Sequence, residues 1–154
     1  MKIVGVGCGP GMLTERAIDV IKSARDIWGS KRAIEIASTY ISSLTEVHEI
    51  RDYKALGNLP AATVVLSTGD PMLAGLGYLK GEVIPGISSL QYASAKIGFK
   101  LIRTVVVDAH GKDHSGAMDR VAEEVDRGYI VFVLPDPDFD IRKFSGFLNK
   151  RCGK

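Results

Sequence analysis

The chain has 154 residues, of which 45% are hydrophobic and 25% are charged, and its formal net charge is +2. This length allows one domain or two small ones to bury roughly 70% of the extended-chain surface without a disulfide or a metal. The mild charge argues against a nucleic-acid-binding protein, which usually carries a concentrated basic stripe. Cys8 and Cys152 have no Cys-x-x-Cys spacing, so neither a zinc site nor a redox motif is predicted.

The apolar start of the chain, residues 1–8, is interrupted by glycines and followed by a polar turn. It therefore matches neither a secretory signal peptide nor a membrane-spanning helix. The two cysteines read as free thiols of a reducing compartment. Together these features favour a cytoplasmic protein that does not associate with membranes.

The first hundred residues alternate between strand and helix patterns, which is typical of a mainly parallel sheet flanked by helices. Thr14 and Ser30 are helix-capping residues placed just before apolar positions at helical spacing. The pattern predicts a strand over 2–7, a helix after Thr14, a helix from Ser30, strands over 46–50 and 61–66, a short helix to Lys80, a strand over 82–84 and a helix ending near Ile97.

A second set of elements follows residue 103, with strands predicted over 104–107 and 129–134 and helices over 116–126 and 141–148. The sequence therefore predicts an α/β protein with an N-terminal domain of residues 1–100 and a smaller C-terminal α/β lobe of residues 101–154.

Three loops follow predicted strands, and so they should meet at the carboxyl edge of the sheet, where open α/β sheets bind ligands. The first, Gly5-Val-Gly-Cys-Gly-Pro-Gly, is neither a dinucleotide fingerprint nor a phosphate-binding P-loop, because the required glycines and the Gly-Lys-Ser/Thr are missing. The second loop places Asp70 at the strand-to-helix corner, where a carboxylate can hold a cationic group. The third contains Ser88 and Ser89 at a helix start, where helix capping is the alternative role.

The order of Gly-Val-Gly-Cys-Gly-Pro-Gly, Ser-Thr-Gly-Asp-Pro-Met-Leu-Ala-Gly and Ile-Pro-Gly-Ile-Ser-Ser resembles the tetrapyrrole (corrin/porphyrin) methylases, which use S-adenosylmethionine. Segments 29–33 and 107–112 are similar to the precorrin-6Y methylase branch, the cobalt-precorrin-7 C5-methyltransferases of cobalamin biosynthesis. The resemblance covers roughly residues 1–148. It implies a homodimer with a cofactor cleft between two α/β lobes, and in-line transfer of the sulfonium methyl group to a carbon of a corrin precursor.

The resemblance also implies roles for single residues. The expected cofactor-binding positions are Cys8, Gly69, Asp70, Leu73, Ser88, Ser89 and Leu134. Arg32, Arg103 and Lys112 are either solvated surface charges or, for a polycarboxylate macrocycle, contacts for its carboxylates, and His110 either faces the substrate or is a solvent-exposed histidine. The cofactor itself carries the activated methyl group, so the reaction needs no catalytic residue of the protein. His110 is the only candidate for such a role.

Two departures from the family pattern leave alternatives open. About a dozen residues separate Gly-Asp-Pro from Pro-Gly, and the C-terminal lobe is short. The chain could be another member of the superfamily, such as a uroporphyrinogen methylase or a diphthine synthase, or a non-catalytic relative that binds a tetrapyrrole or a partner enzyme.

His110 and His114 lie near aspartates at a spacing that could hold a metal, but methyl transfer needs none and no metal site is predicted.

Overall fold

A computed structural model of the chain describes residues 1–111 and 113–152. The chain divides into two compact units, Met1–Ala93 and Ser94–Lys154, and the division falls within helix α3 (Ser89–Ile97). Both units combine strands with helices, and the larger sheet is parallel throughout, which confirms the predicted α/β class.

The first unit is built on a five-stranded sheet. Its strands and its first two helices, in chain order, are β1 (Lys2–Gly5), α1 (Glu15–Ser23), β2 (Asp26–Gly29), α2 (Lys31–Ala37), β3 (Glu46–Glu49), β4 (Val64–Ser67) and β5 (Glu82–Ile84). The strands lie in the order β3-β2-β4-β1-β5, and every neighbouring pair is parallel. All carboxyl ends therefore lie at one edge of the sheet, and the loops after β1, β4 and β5 emerge there together.

Two apolar clusters cover the two faces of this sheet. Val64 and Leu66 of β4 pack with residues of α1 and α2, whereas Val65 packs with Leu76 and Leu79 on the opposite face. Successive side chains of a strand point to opposite faces, so a strand covered on both faces is apolar without alternation. This explains why all four residues of β4 are buried.

Hydroxyl caps begin the first two helices, as the sequence predicts. The Oγ1 of Thr14 accepts the Ala17 N–H at 3.1 Å, and the Oγ of Ser30 accepts the Ala33 N–H at 3.2 Å. Each cap satisfies one of the backbone donors that a helix leaves unpaired at its start.

One prediction for this unit is wrong, and one strand lies where the sequence predicts none. Residues 71–80 form successive turns rather than a helix, because Gly75 adopts a positive φ of 83° that interrupts any helical run. Strand β2 was not predicted at all. It is only four residues long and starts with an aspartate, a residue type depleted in strands, so its pairing with β3 and β4 determines its structure.

The second unit contains β6 (Thr104–Ala109), α4 (His114–Asp126), β7 (Ile130–Pro135) and α5 (Ile141–Cys152). The two strands form a parallel pair in which Asp108 lies opposite Leu134. The pair packs with the two helices through a cluster that includes Val107 of β6, Met118 of α4 and Phe144 of α5. Within the described ranges, no helix is both long enough and apolar enough to cross a membrane.

Candidate functional site

The loops after β1 and β4 are joined by their glycines. The Gly69 N–H donates to the Gly7 carbonyl at 2.8 Å, and the Gly7 N–H donates to the Gly69 carbonyl at 3.2 Å. Both residues have a φ of 73°, which side chains of L-residues rarely tolerate. The paired glycines therefore hold the two loops together at the carboxyl edge of the sheet.

Asp70 links the loop after β4 to the loop after β5. Its Oδ1 accepts the Met72 N–H at 2.9 Å within its own loop, and its Oδ2 accepts the Gly86 N–H at 3.0 Å. Hydrogen bonds to an ionised carboxylate are among the strong ones in proteins. A carboxylate has about four acceptor sites, so these two bonds leave further lone pairs for a ligand donor.

The backbones of three loops touch at Gly5, Gly69 and Gly86. A Cβ on Gly86 would overlap the Gly69 carbonyl oxygen and come within 2.9 Å of the Gly5 Cα. Real Cβ atoms essentially never lie so close to backbone atoms, so Gly86 allows an approach that other residues would prevent.

Cys8 makes a further link between the first and third loops. Its half-buried thiol donates to the Ile87 carbonyl oxygen at 3.3 Å, and burial raises its pKa. The thiol is therefore protonated at neutral pH and acts as a weak donor. The carbonyl oxygen of Cys8 accepts from the Arg32 guanidinium, at the long distance of 3.5 Å, so Arg32 lies beside the first loop.

A cleft of about 430 Å³ opens between the second and third loops. Its walls are formed by Asp70, Met72, Leu73, Pro85, Gly86, Ser88 and Gln91. The lining combines a carboxylate, a hydroxyl and an amide with apolar side chains, and the volume falls within the range usual for small-molecule sites. Of the predicted cofactor-binding residues, Asp70, Leu73 and Ser88 line this cleft.

Ser88 caps helix α3 in the same place. Its N–H and its Oγ each lie 2.9 Å from Gln91 Oε1, and the Gln91 N–H donates to Ser88 Oγ at 3.1 Å. This is a capping box, in which the cap residue and a Gln three positions later satisfy each other's backbone. Gln91 was missed in the sequence, although Ser-x-x-Gln before a helix was the signal for it. Ser89, the first residue of α3, is half-buried and is not among the cleft residues.

The remaining predicted site residues belong to the second unit. Leu134 is half-buried in β7, and an Arg103 guanidinium nitrogen lies 3.4 Å from the Gly128 carbonyl. The His110 side chain is 56% exposed, and its Nδ1 lies 2.6 Å from Asp108 Oδ1. The backbone N–H of His110, and then its ring, lower the pKa of Asp108. Lys112 lies outside the described residues.

His114 pairs with a different carboxylate from His110. Its Nε2 lies 3.2 Å from the Asp136 carboxylate. Partial burial opposes the ionisation of Asp136, but hydrogen bonds from the His114 ring and the Gly111 N–H lower its pKa overall. In the described ranges, no group of three His, Cys, Asp or Glu side chains is arranged to hold a metal ion.

The family model for tetrapyrrole (corrin/porphyrin) methylases matches residues 2–152, nearly the whole chain. The chain belongs to the tetrapyrrole methylase family. The membership predicted from the three loop motifs is thereby confirmed.

Two relatives of the chain are informative. It is 34% identical to the probable cobalt-precorrin-7 C(5)-methyltransferase of Methanocaldococcus jannaschii over 71% of the chain, and it spans 61% of that protein's length. It is 30% identical to the crystal structure of a precorrin-6Y methylase from Archaeoglobus fulgidus, with a TM-score of 0.71, over 93% of this chain and 76% of the other. These matches confirm the predicted similarity to the precorrin-6Y methylase branch.

A third match shows the shared fold alone. The crystal structure of a diphthine synthase covers 99% of this tetrapyrrole methylase and 72% of its own chain, with a TM-score of 0.67 at 14% identity.

Proposed function

We propose that the chain is an S-adenosylmethionine-dependent methyltransferase that methylates a carbon of a corrin precursor in cobalamin biosynthesis. Its similarity to a probable cobalt-precorrin-7 C(5)-methyltransferase and to a precorrin-6Y methylase supports this substrate class and methylation at C5. The observation that carries the proposal is the link from Asp70 to Gly86, which joins the loops after β4 and β5 at one cleft.

The cleft residues fit the chemical groups of S-adenosylmethionine. Its ammonium group needs an anionic acceptor, and among the residues that the structure describes Asp70 is the one charged residue that lines the cleft. Its ribose hydroxyls need polar partners, for which Ser88 and Gln91 are placed, and Leu73 can pack against its apolar parts. Gly69 and Cys8 would contribute backbone atoms beside this cleft. Ser89 and Leu134 complete the proposed cofactor contacts on the strength of the family resemblance.

When bound, S-adenosylmethionine supplies a methyl group already activated on sulfur, so the chain needs no nucleophile of its own. The residues of the chain bind and orient the two reactants. Correct orientation of the donor and the acceptor carbon can lower the activation free energy by roughly 7–11 kcal/mol. Asp70 serves this task as a positioning residue, because its hydrogen bonds hold two of the loops that form the cleft.

The macrocycle would be recognised through its carboxylates. Arg32 lies beside the first loop, and a guanidinium can bind a carboxylate through two parallel hydrogen bonds. We propose the same role for Arg103 and Lys112. His110 would face the substrate, and its bond to Asp108 orients the imidazole ring.

We also infer that the protein is a homodimer that works in the cytoplasm. The family resemblance supports the dimer, and the free thiol of Cys8 fits a reducing compartment. Sedimentation velocity at micromolar concentrations tests the dimer, and a monomer under those conditions would contradict it.

Calorimetric titration of S-adenosylhomocysteine, the product form of the cofactor, tests the cleft. We expect a micromolar Kd for the wild-type chain. The Kd for Asp70→Asn should be at least about tenfold higher, because the amide loses a charge-assisted hydrogen bond. The matched control is Asp52→Asn, since Asp52 also accepts a backbone N–H two residues on but lies outside the cleft. Its affinity should stay within about twofold of wild type.

Two results would count against the proposal. Equal affinity of Asp70→Asn and wild type would exclude the role of Asp70. Absence of binding to a folded wild-type chain would exclude the cofactor cleft and favour a non-catalytic relative.

A diphthine synthase activity is the second candidate within the same superfamily. Only the fold supports it, since the identity to the diphthine synthase structure is 14%. Methyl transfer to a protein acceptor and not to a corrinoid would support this alternative.

A further inference from the structure

A second and smaller cavity lies at the same edge of the five-stranded sheet. Its volume is about 120 Å³, and it is lined by Ser30, Tyr53, Leu66, Ser67, Thr68, Ala74 and Leu76. We call it the hydroxyl pocket, because four of these residues carry hydroxyl groups. It shares no lining residue with the 430 Å³ cleft, and it could hold about four water molecules at the volume each occupies in liquid water.

Ser67 gives this pocket an unusual feature. It is the last residue of β4, it is 3% exposed, and its Oγ has no hydrogen-bond partner among the described residues. Its carbonyl oxygen already accepts the Val6 N–H at 2.9 Å. A buried hydroxyl without a partner destabilises the folded state, so it is usually retained where a further group completes it.

Other residues with hydroxyl groups line the pocket together with Ser67. The Ser30 Oγ accepts the Ala33 N–H, so its own proton can be donated to a different acceptor. Thr68 and Tyr53, which also carry hydroxyl groups, are two more residues of the wall. Leu66, Ala74 and Leu76 form its apolar part, and none of the seven lining residues is charged.

This combination favours a particular ligand group. Several O–H donors match a group that only accepts hydrogen bonds, and an ionised carboxylate is such a group. The apolar part of the wall matches a short chain of methylene groups. Arg32, in the first turn of the helix that Ser30 caps, adds a positive charge to this edge of the unit.

We propose that the hydroxyl pocket binds one carboxylate-ended side chain of the macrocyclic substrate. The pocket would then orient the ring relative to the neighbouring cleft, so Ser67 acts as a specificity-determining residue. This inference rests on the proposed function for the identity of the substrate. The pocket itself can be tested without that substrate.

The test uses propionate, a carboxylate on a short apolar stem, and the ¹⁵N-labelled full chain. Propionate is titrated at constant ionic strength and neutral pH while backbone amide signals are followed by NMR. We expect saturable shifts at Ser30, Ser67 and Thr68. Propionamide, the neutral isostere, should bind about tenfold more weakly, because its NH₂ group cannot accept from a hydroxyl.

Two variants locate the binding. Ser67→Ala should weaken propionate binding about tenfold, because it removes a hydroxyl donor. Ser38→Ala is the control, since Ser38, at the opposite end of α2 from Ser30, has an exposed hydroxyl bonded to the Glu35 carbonyl and does not line the pocket. It should leave propionate binding within about twofold of wild type.

The outcomes separate this inference from the proposed function. Absence of saturable shifts, equal binding of propionamide, or unchanged binding to Ser67→Ala would each overturn the carboxylate pocket. S-adenosylhomocysteine is titrated into the same samples. If a sample binds S-adenosylhomocysteine but not propionate, the carboxylate pocket alone is overturned. If it binds propionate but not S-adenosylhomocysteine, the cofactor cleft is contradicted and the pocket remains supported.

Discussion

Gly86 shows how little space the candidate site leaves at single positions. Its N–H is bonded to Asp70, and its Cα faces the backbones of Gly5 and Gly69. The Pro-Gly motif in the sequence predicts a turn here, but not this packing. The requirement for glycine comes from two other loops that fold against it.

Gly86→Ala should therefore destabilise the protein and disturb the cleft. Overpacking of a tight site costs about 1–3 kcal/mol, and the displaced loop would also weaken the bond to Asp70. Urea unfolding measures the first effect, and S-adenosylhomocysteine titration measures the second. Gly57→Ala is the control, because a Cβ on Gly57 meets no atom within 4 Å. Equal stability of both variants would show that the loops are not packed as described.

Asp70 illustrates what could and could not be predicted at this scale. Its position after a buried strand, at a glycine corner, is a local signal, from which the sequence predicts that it lies at the carboxyl edge of the sheet, as it does in the structure. Its partner Gly86 lies 16 residues further along the chain, so the bond depends on the pairing of β1 with both β4 and β5. The sequence does not contain that information in any local pattern.

Strand β5 depends on few contacts at the level of elements. It has three residues, lies at the edge of the sheet and pairs with β1 alone. An ion pair joins it to α1, with the Arg16 guanidinium 2.9 Å from the Glu82 carboxylate. The hydrogen bond from Arg16 is the main reason that the pKa of Glu82 lies below its ordinary value of 4.5.

The stability that this ion pair contributes should depend on pH. A carboxylate whose pKa is lowered by folding stabilises the native state above its unfolded pKa, and the contribution is lost as the pH falls through the folded pKa. The difference in unfolding free energy between wild type and Glu82→Gln should therefore be largest above pH 4.5 and should vanish in stronger acid. It should also shrink in high salt, because the pair is exposed.

Urea unfolding of both proteins across this pH range provides the measurement. A difference that stays constant from neutral to strongly acidic pH would show that the Glu82 carboxylate does not contribute through its charge.

The elements that the sequence mispredicted share a physical cause. Residues 71–80 contain leucines at helical spacing. However, the N–H groups of Leu76 and Leu79 donate to the Pro71 and Leu76 carbonyls in separate turns and not in a continuous helix. Strand β2 is so short that its neighbours decide its structure. Helices with clear caps, such as those after Thr14 and Ser30, were predicted correctly, because a cap is a local interaction.

At the scale of the whole molecule, three loops meet at the carboxyl edge of the larger sheet, and the chain matches only part of the length of a relative. The chain spans 61% of the length of the probable methyltransferase from Methanocaldococcus jannaschii. The first unit alone contains the cleft, the hydroxyl pocket and all the contacts among the three loops. The cleft proposed for the cofactor is therefore formed by residues of the first unit.

Methyl transfer from isotopically labelled S-adenosylmethionine to cobalt-precorrin-7 tests the central claim most directly, with the corrinoid product analysed by mass spectrometry. The proposed function predicts one labelled methyl group per corrinoid with the wild-type chain, and a rate at least about tenfold lower with Asp70→Asn. A folded chain that binds S-adenosylhomocysteine but leaves the corrinoid unlabelled would contradict the assignment as a corrin-precursor methyltransferase.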